Sequence, residues 1–276
     1  MPILRIIHRN DADQATSLTA NTTSGALAAA YMQTDRKGEA HRSTGTSVTY
    51  TLTWTGGVTL GAVALPATNL TSAATIRVRL YSDTACTTLL QDSGTITACP
   101  GLALGLWTWT ATLNANAFAY GGAAKAVCWF EAQQAGVKGM KIDLADATNP
   151  AGYIDCARIV AGPWWSPDWG AESGATVLVQ DNTTNTRADS GDIASDRAPM
   201  HEEMSINLPV LPEADRAQLA QIMRANGVWK PVFLSLTPRA GTAAEQDQMI
   251  YGKRKNAPIK HAFYAHFSHP LEIEGW

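Results

Sequence analysis

The chain has 276 residues, of which 45% are hydrophobic and 16% charged, and its formal net charge is −3. This length exceeds the usual size of one domain, so we expect two domains. The low charge content, with 22 Gly and 13 Pro, favours many short strands and turns over long surface helices. The fold is therefore predicted to be mainly β.

Charge and hydropathy argue against two classes of partner. There are 10 basic and 10 acidic residues up to Cys156, and 11 basic and 14 acidic residues after it. Neither half has the basic excess of a nucleic-acid-binding protein. No run approaches the roughly 18 apolar residues that span a bilayer, and the apolar stretch at Ile3–Ile7 is too short for a signal peptide. We predict no nucleic-acid partner, no membrane span and no secretion signal.

The segment Val58–Leu80 is predicted to be a hairpin of two strands joined by a short polar turn. In its second strand three aliphatic residues alternate with Arg77 and Arg79, which is the period of a half-buried strand. The aliphatic residues, expected to face the core, are Ile76, Val78 and Leu80. The arginines are expected to face solvent or a partner.

Residues 1–161 are predicted to form a jelly-roll-like β-sandwich of about eight strands. Ser47–Trp54 has the cleanest alternation of apolar and threonine residues. The other predicted strands are Ile3–Ile7, Thr87–Asp92, Gly94–Ala98, Leu106–Leu113, Ala126–Phe130, Gly139–Leu144 and Tyr153–Val160.

The segment Gly162–Gly170, with the sequence GPWWSPDWG, interrupts this pattern, so we place the domain boundary at residues 161/162. Strand alternation cannot bury Trp164, Trp165 and Trp169 in such a segment. They are expected to pack at the domain junction, to contact another protein, or to remain open for a ligand. These tryptophans are the predicted site residues, and an interface is favoured over a sugar-stacking surface.

Residues 162–276 are predicted to form a smaller α+β domain, with one helix on an antiparallel sheet. The helix, Pro212–Asn226, has Pro in its first turn, an apolar stripe and Gly227 as its stop signal. Asp181–Ser195 is predicted to be a polar hairpin region. The predicted strands are Thr176–Gln180, Met204–Leu208, Pro231–Leu236, Gln248–Lys253 and His261–Ile273.

No pattern in the sequence indicates catalysis. There is no GxSxG motif, no cysteine in a recognisable catalytic context, and no spacing that singles out a pair of carboxylates. We predict that the protein is not an enzyme, has no catalytic residues and needs no cofactor. A polysaccharide hydrolase is the least favoured alternative.

Metal binding is not predicted either. The four cysteines lack CxxC spacing, so buried free thiols are expected, while a disulfide between Cys86 and Cys99 stays open. The others are Cys128 and Cys156. Three histidines near the end of the chain are expected to be surface or packing residues: His261, His266 and His269. Four aspartates suit turns better than calcium binding: Asp181, Asp189, Asp192 and Asp196.

Two resemblances together cover nearly the whole chain. The apolar strand, Asn-Leu turn and ATIRVRL strand within Val58–Leu80 resemble the core of galactose-binding-like (discoidin-type) sandwiches, particularly those in tail proteins of bacterial viruses. After Ala161, the order of strand, Asp-Asn-Thr turn, TRADSGD hairpin, helix, VFLSLTP, MIYGK and HPLEIEGW is similar to phage tail-tip and baseplate domains related to the tail-tube fold.

The resemblances imply a structural component of a phage tail tip or baseplate, located in the virion tail and assembled in the host cytoplasm. Its expected partners are other tail proteins and symmetry copies of itself. The alternative is a carbohydrate-binding tail adhesin that contacts a glycan on the host surface. The copy number and the neighbouring proteins stay open.

Overall fold

The computed structural model describes residues 4–36, 38–99, 124–171, 174–239, 243–263 and 266–276. Over these residues the fold is mainly β, as predicted. Two large antiparallel sheets, one separate hairpin and two α-helices make up the described architecture. The predicted strand Leu106–Leu113 lies outside the described residues.

The first sheet contains most of the predicted sandwich strands. Its order is β3-β9-β4-β8-β5-β6, with β2 and β10 paired to β4 and β7 paired to β5. These strands are β2 (Ser17–Ala20), β3 (His41–Arg42), β4 (Ser47–Thr68), β5 (Thr75–Tyr81), β6 (Leu89–Asp92), β7 (Ile96–Thr97), β8 (Ala124–Ala145), β9 (Asp155–Cys156) and β10 (Val160–Gly162).

The second sheet has the order β11-β1-β16-β17-β19-β15-β12, with β18 paired to β19. Its strands are β1 (Arg5–Ile7), β11 (Trp164–Trp165), β12 (Thr176–Asp181), β15 (Met200–Leu211), β16 (Val232–Ser235), β17 (Met249–Arg254), β18 (Lys260–Phe263) and β19 (His266–Gly275). The separate hairpin joins β13 (Thr184–Arg187) to β14 (Ile193–Asp196), and the helices are α1 (Glu213–Asn226) and α2 (Ala243–Asp247).

The predicted hairpin at Val58–Leu80 is wrong. Strands β4 and β5 both pair with β8, which lies between them, so Met140 of β8 is opposite Leu52 on one side and Leu80 on the other. The predicted strand Ser47–Trp54 and the first run of the hairpin are parts of β4, while Ala126–Phe130 and Gly139–Leu144 are parts of β8. Alternation indicates which residues are buried, but it does not identify the neighbouring strand.

The predicted faces of β5 are confirmed. Ile76, Val78 and Leu80 are fully buried in the core of the first sheet. Arg77 and Arg79 lie on the other face, where they pair with the carboxylates of Asp92 and Asp143, both at 2.5 Å. These ion pairs are partly exposed, so they contribute little to stability compared with the aliphatic core.

Truncation of Val78 is expected to be far more damaging than truncation of Arg77. Val78→Ala should lower the free energy of unfolding by about 1–3 kcal/mol, because it removes buried methyl groups and leaves a cavity. Arg77→Ala should cost under about 1 kcal/mol, because its ion pair is partly solvated. Urea unfolding of both variants tests the difference, and equal losses would show that both faces of β5 contribute equally.

The first strand departs from the predicted domain division of 1–161 and 162–276. Ile6 of β1 is opposite Leu234 of β16 and Trp165 of β11, so β1 is a strand of the second sheet. Both Ile6 and Ile7 are buried, one on each face of the strand. A short apolar run such as ILRII predicts a strand without indicating which sheet it joins.

The second sheet lies between α1 and the first sheet. Residues of β16 show the layering: Val232 and Leu234 belong to the core that includes Leu219 and Ile222 of α1. Phe233 points the other way and packs with Trp129 of β8. The helix predicted at Pro212–Asn226 is thus confirmed with its apolar stripe buried, and α2 is a second helix that the sequence patterns did not indicate.

A buried arginine holds the two sheets together. Arg158, between β9 and β10, is 1% exposed, and its guanidinium donates to both carboxylate oxygens of Asp13 at 2.5 and 2.7 Å. Its Nε lies 3.0 Å from the hydroxyl of Tyr251 in β17 and 2.9 Å from a carboxylate oxygen of Asp35. The Tyr251 hydroxyl donates to Asp35 at 2.7 Å, which completes a polar network across the junction.

Candidate assembly interface

Strand β12 is a free edge of the second sheet. In the described part of the chain it pairs with β15 alone, with Val177 opposite Met204 and Val179 opposite Glu202. The outer edge of an antiparallel strand presents unpaired N–H and C=O groups that can pair with another strand. β12 therefore has the backbone chemistry needed to extend the sheet into a neighbouring protein.

Three consecutive side chains in the middle of β12 are apolar and largely exposed. Val177, Leu178 and Val179 are 44%, 53% and 60% exposed, although they are consecutive and so point to both faces of the sheet. Met204 of β15, opposite Val177, is buried beneath α1. The helix therefore covers β15 but not the edge strand β12. Exposed apolar residues on both faces of an edge strand form a surface that another protein could cover.

The β13–β14 hairpin extends this edge into solvent. Thr184 is opposite Asp196 and Arg187 is opposite Ile193, and the hairpin pairs with neither large sheet. Ile193 is 61% exposed. An isolated two-stranded hairpin is at best marginally stable in water, so a contact with another surface would stabilise it. We call residues 176–203, from β12 through the hairpin to the start of β15, the arm.

The four aspartates considered for calcium lie on this arm and are exposed: Asp181, Asp189, Asp192 and Asp196. Asp181 accepts a hydrogen bond from the backbone N–H of Thr183 at 2.8 Å, and Asp192 accepts one from the Ser190 hydroxyl at 2.9 Å. Among the residues that the structure describes, no group of three or more potential metal ligands is brought together. These aspartates shape the turns of the arm.

The three predicted tryptophans do not form one surface. Trp165 in β11 is 3% exposed and belongs to the core between the second sheet and α1, with Leu4 and Ile6. Its burial is internal to the chain, against apolar side chains of the same core. The expectation that the segment cannot bury its tryptophans fails here because β11 pairs with β1 and acquires strand alternation.

Trp164 lies on the opposite face of β11 and is partly buried against the first sheet. The guanidinium of Arg5 is stacked 4.0 Å from its ring centroid, a cation–π contact. A Cβ at Gly61 would lie 2.6 Å from Cδ1 of Trp164, so only glycine leaves room for the indole there. Trp164 therefore lies against a cluster of side chains contributed by both sheets.

Trp169 is the one member of the predicted set that is largely open, with 60% of its surface exposed. It follows Asp168, whose backbone N–H donates to the carboxylate of Asp215 in the first turn of α1 at 2.8 Å. This bond fixes the chain next to the indole. Whether Trp169 contacts a protein or a glycan stays a prediction.

The cysteines and histidines hold no site in the described residues. All four cysteines are free and buried, and burial raises the pKa of Cys99 to about 12 and of Cys128 to about 11. Such thiols are unreactive at neutral pH. His269 is buried with its Nδ1 3.2 Å from the carbonyl of Pro258, and His261 packs on Phe267, so both are packing residues.

The sequence analysis predicted the strand at β12 but missed its importance. The signal was present: Val177-Leu178-Val179 is a run of three apolar residues between polar loops, without the alternation of a half-buried strand. Such a run is typical of a strand buried on both faces. Among the residues that the structure describes, no element covers either face at β12, which only the packing of α1 and the first sheet reveals.

Comparisons with known proteins yield distant structural neighbours. No family model and no curated protein matches the chain. Chitosan-binding module 1 of a chitosanase/glucanase from Paenibacillus sp. IK-5 is 14% identical with a TM-score of 0.41, over 56% of this chain and 100% of that one. A Streptococcus pneumoniae fucose binding module is 9% identical with a TM-score of 0.37, over 56% and 94%.

A third neighbour is the family 32 carbohydrate-binding module of C. perfringens NanJ in complex with galactose, which is 9% identical with a TM-score of 0.37, over 59% of this chain and 100% of that one. These neighbours are carbohydrate-binding modules. Because every TM-score is below 0.5, the likeness carries no argument about function. No helix in the described ranges combines the length and apolar character needed to cross a bilayer.

Proposed function

We propose that this protein is a structural subunit of a larger assembly, of the phage tail-tip or baseplate kind, and that the arm is its contact with neighbouring subunits. One observation carries the proposal: β12 is an edge strand with three consecutive exposed aliphatic side chains. Its partners would be other tail proteins or copies of this chain. This role needs no catalytic group.

The energetics favour a covered arm. Burying Val177, Leu178 and Val179 in an interface would contribute on the order of 1.5–3 kcal/mol for each side chain that becomes fully buried. A strand added to the free edge of β12 would also satisfy its outward backbone groups. An exposed apolar edge invites aggregation unless a partner covers it, so an assembled state accounts for its retention.

Charges placed on β12 are expected to block assembly while leaving the fold intact. The double variant Leu178→Asp and Val179→Asp puts one carboxylate on each face of the strand, and burying either in an interface is strongly unfavourable. Association measured by sedimentation velocity over a concentration series, or incorporation into assembled particles, should weaken by more than tenfold. Unfolding stability should fall by no more than about 2 kcal/mol, because both residues are exposed but the new carboxylates lie opposite Glu203 and Glu202.

The matched control is Val228→Asp, which charges an exposed valine beyond the end of α1, away from the arm. It should assemble as the unmodified protein does. Normal assembly of the arm variant, or equal weakening by the control, would contradict the proposal.

Glycan binding is the second candidate function, and the exposure of Trp169 is the observation that favours it. An open indole can stack on the apolar face of a sugar ring. Under this alternative Trp169→Ala would abolish binding on a glycan array or adsorption to cells and leave assembly intact. Under the assembly proposal, the arm variant is the defective one and Trp169→Ala leaves adsorption unchanged.

A further inference from the structure

A small polar cluster lies at the neck of the arm, where the β12–β15 ladder ends and the β13–β14 hairpin begins. The side-chain amide nitrogen of Asn182 lies 3.1 Å from the carbonyl of Pro199 and 3.2 Å from Nδ1 of His201. Beside it, the backbone N–H of Ala198 donates to the Thr183 hydroxyl at 3.3 Å. We call the contacts of Asn182 with Pro199 and His201 the neck clasp. Because the hairpin pairs with neither sheet, these bonds orient it.

The hydrogen-bonding pattern of the clasp fixes the proton on His201. Both contacts are made by the amide nitrogen of Asn182, which can only donate, so Nδ1 of His201 is an acceptor. The ring proton of the neutral imidazole is therefore on Nε2. That atom lies 3.6 Å from a carboxylate oxygen of Glu203 and 3.9 Å from one of Glu274.

Charged groups on two strands of the second sheet face the ring of His201. Glu203 is also paired with Lys255 at 3.0 Å, and this ammonium lowers the pKa of Glu203, so the carboxylate stays ionised in mildly acidic solution. Glu274 comes from β19, and Gln180, opposite His201 in β12, is neutral. Two carboxylates and one more distant lysine thus surround the ring.

We propose that protonation of His201 opens the neck clasp and frees the β13–β14 hairpin to move, so that assembly through the arm depends on pH. This inference rests on the proposed function, because it concerns the regulation of the same interface. An imidazole gains its second proton between about pH 8 and 5. Here that proton goes to Nδ1, where the new N–H would face the N–H of Asn182. Two donors cannot bond to each other, and the contact is lost.

Rotation of the Asn182 amide does not restore the clasp. A flipped amide would present its oxygen to His201, but it would also turn that oxygen toward the carbonyl of Pro199, and the bond to Pro199 would be lost instead. Meanwhile the imidazolium is attracted to Glu203 and Glu274 on the sheet. The β13–β14 hairpin is therefore held at neutral pH and freed in acid.

The first test measures the clasp in dilute protein that does not associate. ¹⁵N NMR of His201 should show the Nε2–H tautomer at pH 7.5. After correction for intrinsic rates, the amides of residues 182–198 should exchange about fivefold faster at pH 5.5 than at pH 7.5, which corresponds to one lost hydrogen bond. His201→Gln, which cannot gain a proton, should remove this difference.

His266→Gln is the matched control, because this exposed histidine begins β19, roughly 26 Å along the strand from Glu274. It should keep the pH difference. Equal exchange at both pH values in the unmodified protein, an Nδ1–H tautomer at pH 7.5, or a pH difference that persists in His201→Gln would each overturn the neck clasp.

The second test measures association at pH 5.5 and 7.5, and it separates this inference from the proposed function. Assembly should weaken at pH 5.5 in the unmodified protein and be independent of pH in His201→Gln. Suppose that hydrogen exchange of the amides of residues 182–198 depends on pH, but the aspartates introduced into β12 leave assembly unchanged. The proposed function then fails and the neck clasp stands. If the aspartates introduced into β12 block assembly but hydrogen exchange of these amides is the same at both pH values, the neck clasp fails and the proposed function stands.

Discussion

Replacement of Trp165 by Ala is expected to lower the free energy of unfolding by about 3–5 kcal/mol, the range for removing a large aromatic side chain from a core. The indole is 3% exposed and packs with Leu4, Ile6 and residues of the sheet beneath α1. Loss of this much stability threatens the fold of a protein whose total stability is on the order of 5–15 kcal/mol. Chemical denaturation monitored by circular dichroism measures the change.

This expectation departs from the hypothesis drawn from the sequence, in which Trp165 belongs to an interface with another protein. Two variants make the test specific. Trp165→Phe should lower the free energy of unfolding less than Trp165→Ala does, because phenylalanine keeps most of the apolar volume. The lost indole N–H is not missed, since it makes no hydrogen bond within the described structure. Trp169→Ala should leave stability within about 0.5 kcal/mol. A Trp165→Ala protein with full stability and a specific assembly defect would restore the original hypothesis.

Replacement of Asp13 by Ala is expected to destabilise the protein by about 3 kcal/mol or more, because it leaves the buried Arg158 without its bidentate partner. Asp35 and the Tyr251 hydroxyl remain next to the guanidinium, but neither replaces two short charge-assisted bonds. Burial raises the pKa of Asp13, because the cost of desolvating its carboxylate outweighs the attraction of Arg158. Calorimetry of the variant gives the loss.

A double-mutant cycle isolates the pair. Asp13→Ala combined with Arg158→Met removes the unpaired charge, so the double variant should be more stable than Asp13→Ala alone. Arg77→Ala serves as the control for a partly exposed pair and should cost under about 1 kcal/mol. Additive losses in the cycle, or an Asp13→Ala variant as stable as the unmodified protein, would show that the Asp13–Arg158 pair contributes little to stability.

Local sequence patterns predicted the strands and the long helix of this fold better than they predicted which strands pair with each other. The alternation in β5 correctly placed Ile76, Val78 and Leu80 in the core, and the stop and start signals located α1. The pairing of β5 with β8 depends on residues about 60 positions away, such as Val78 opposite Ile142. No local pattern encodes such a partner, because a strand's hydrogen bonds are the same whichever strand it joins.

The candidate site shows the same limit. The sequence identified three tryptophans as a group because they are close along the chain, but the structure buries Trp165, stacks Trp164 under Arg5 and leaves only Trp169 open. The apolar run of β12 was predicted as a strand, with no indication that it is uncovered. Exposure is a property of what packs against a residue, and the packing elements come from elsewhere in the chain.

The sequence by itself determined the mainly β composition, the faces of its alternating strands, the single long helix and the lack of a catalytic motif, because these follow from local periodicity and residue chemistry. Tertiary structure alone decided that β1 joins the second sheet, that Arg158 is buried against Asp13, and that β12 is a free apolar edge. Each of these depends on contacts between residues far apart in the chain, and local propensities place no constraint on such contacts.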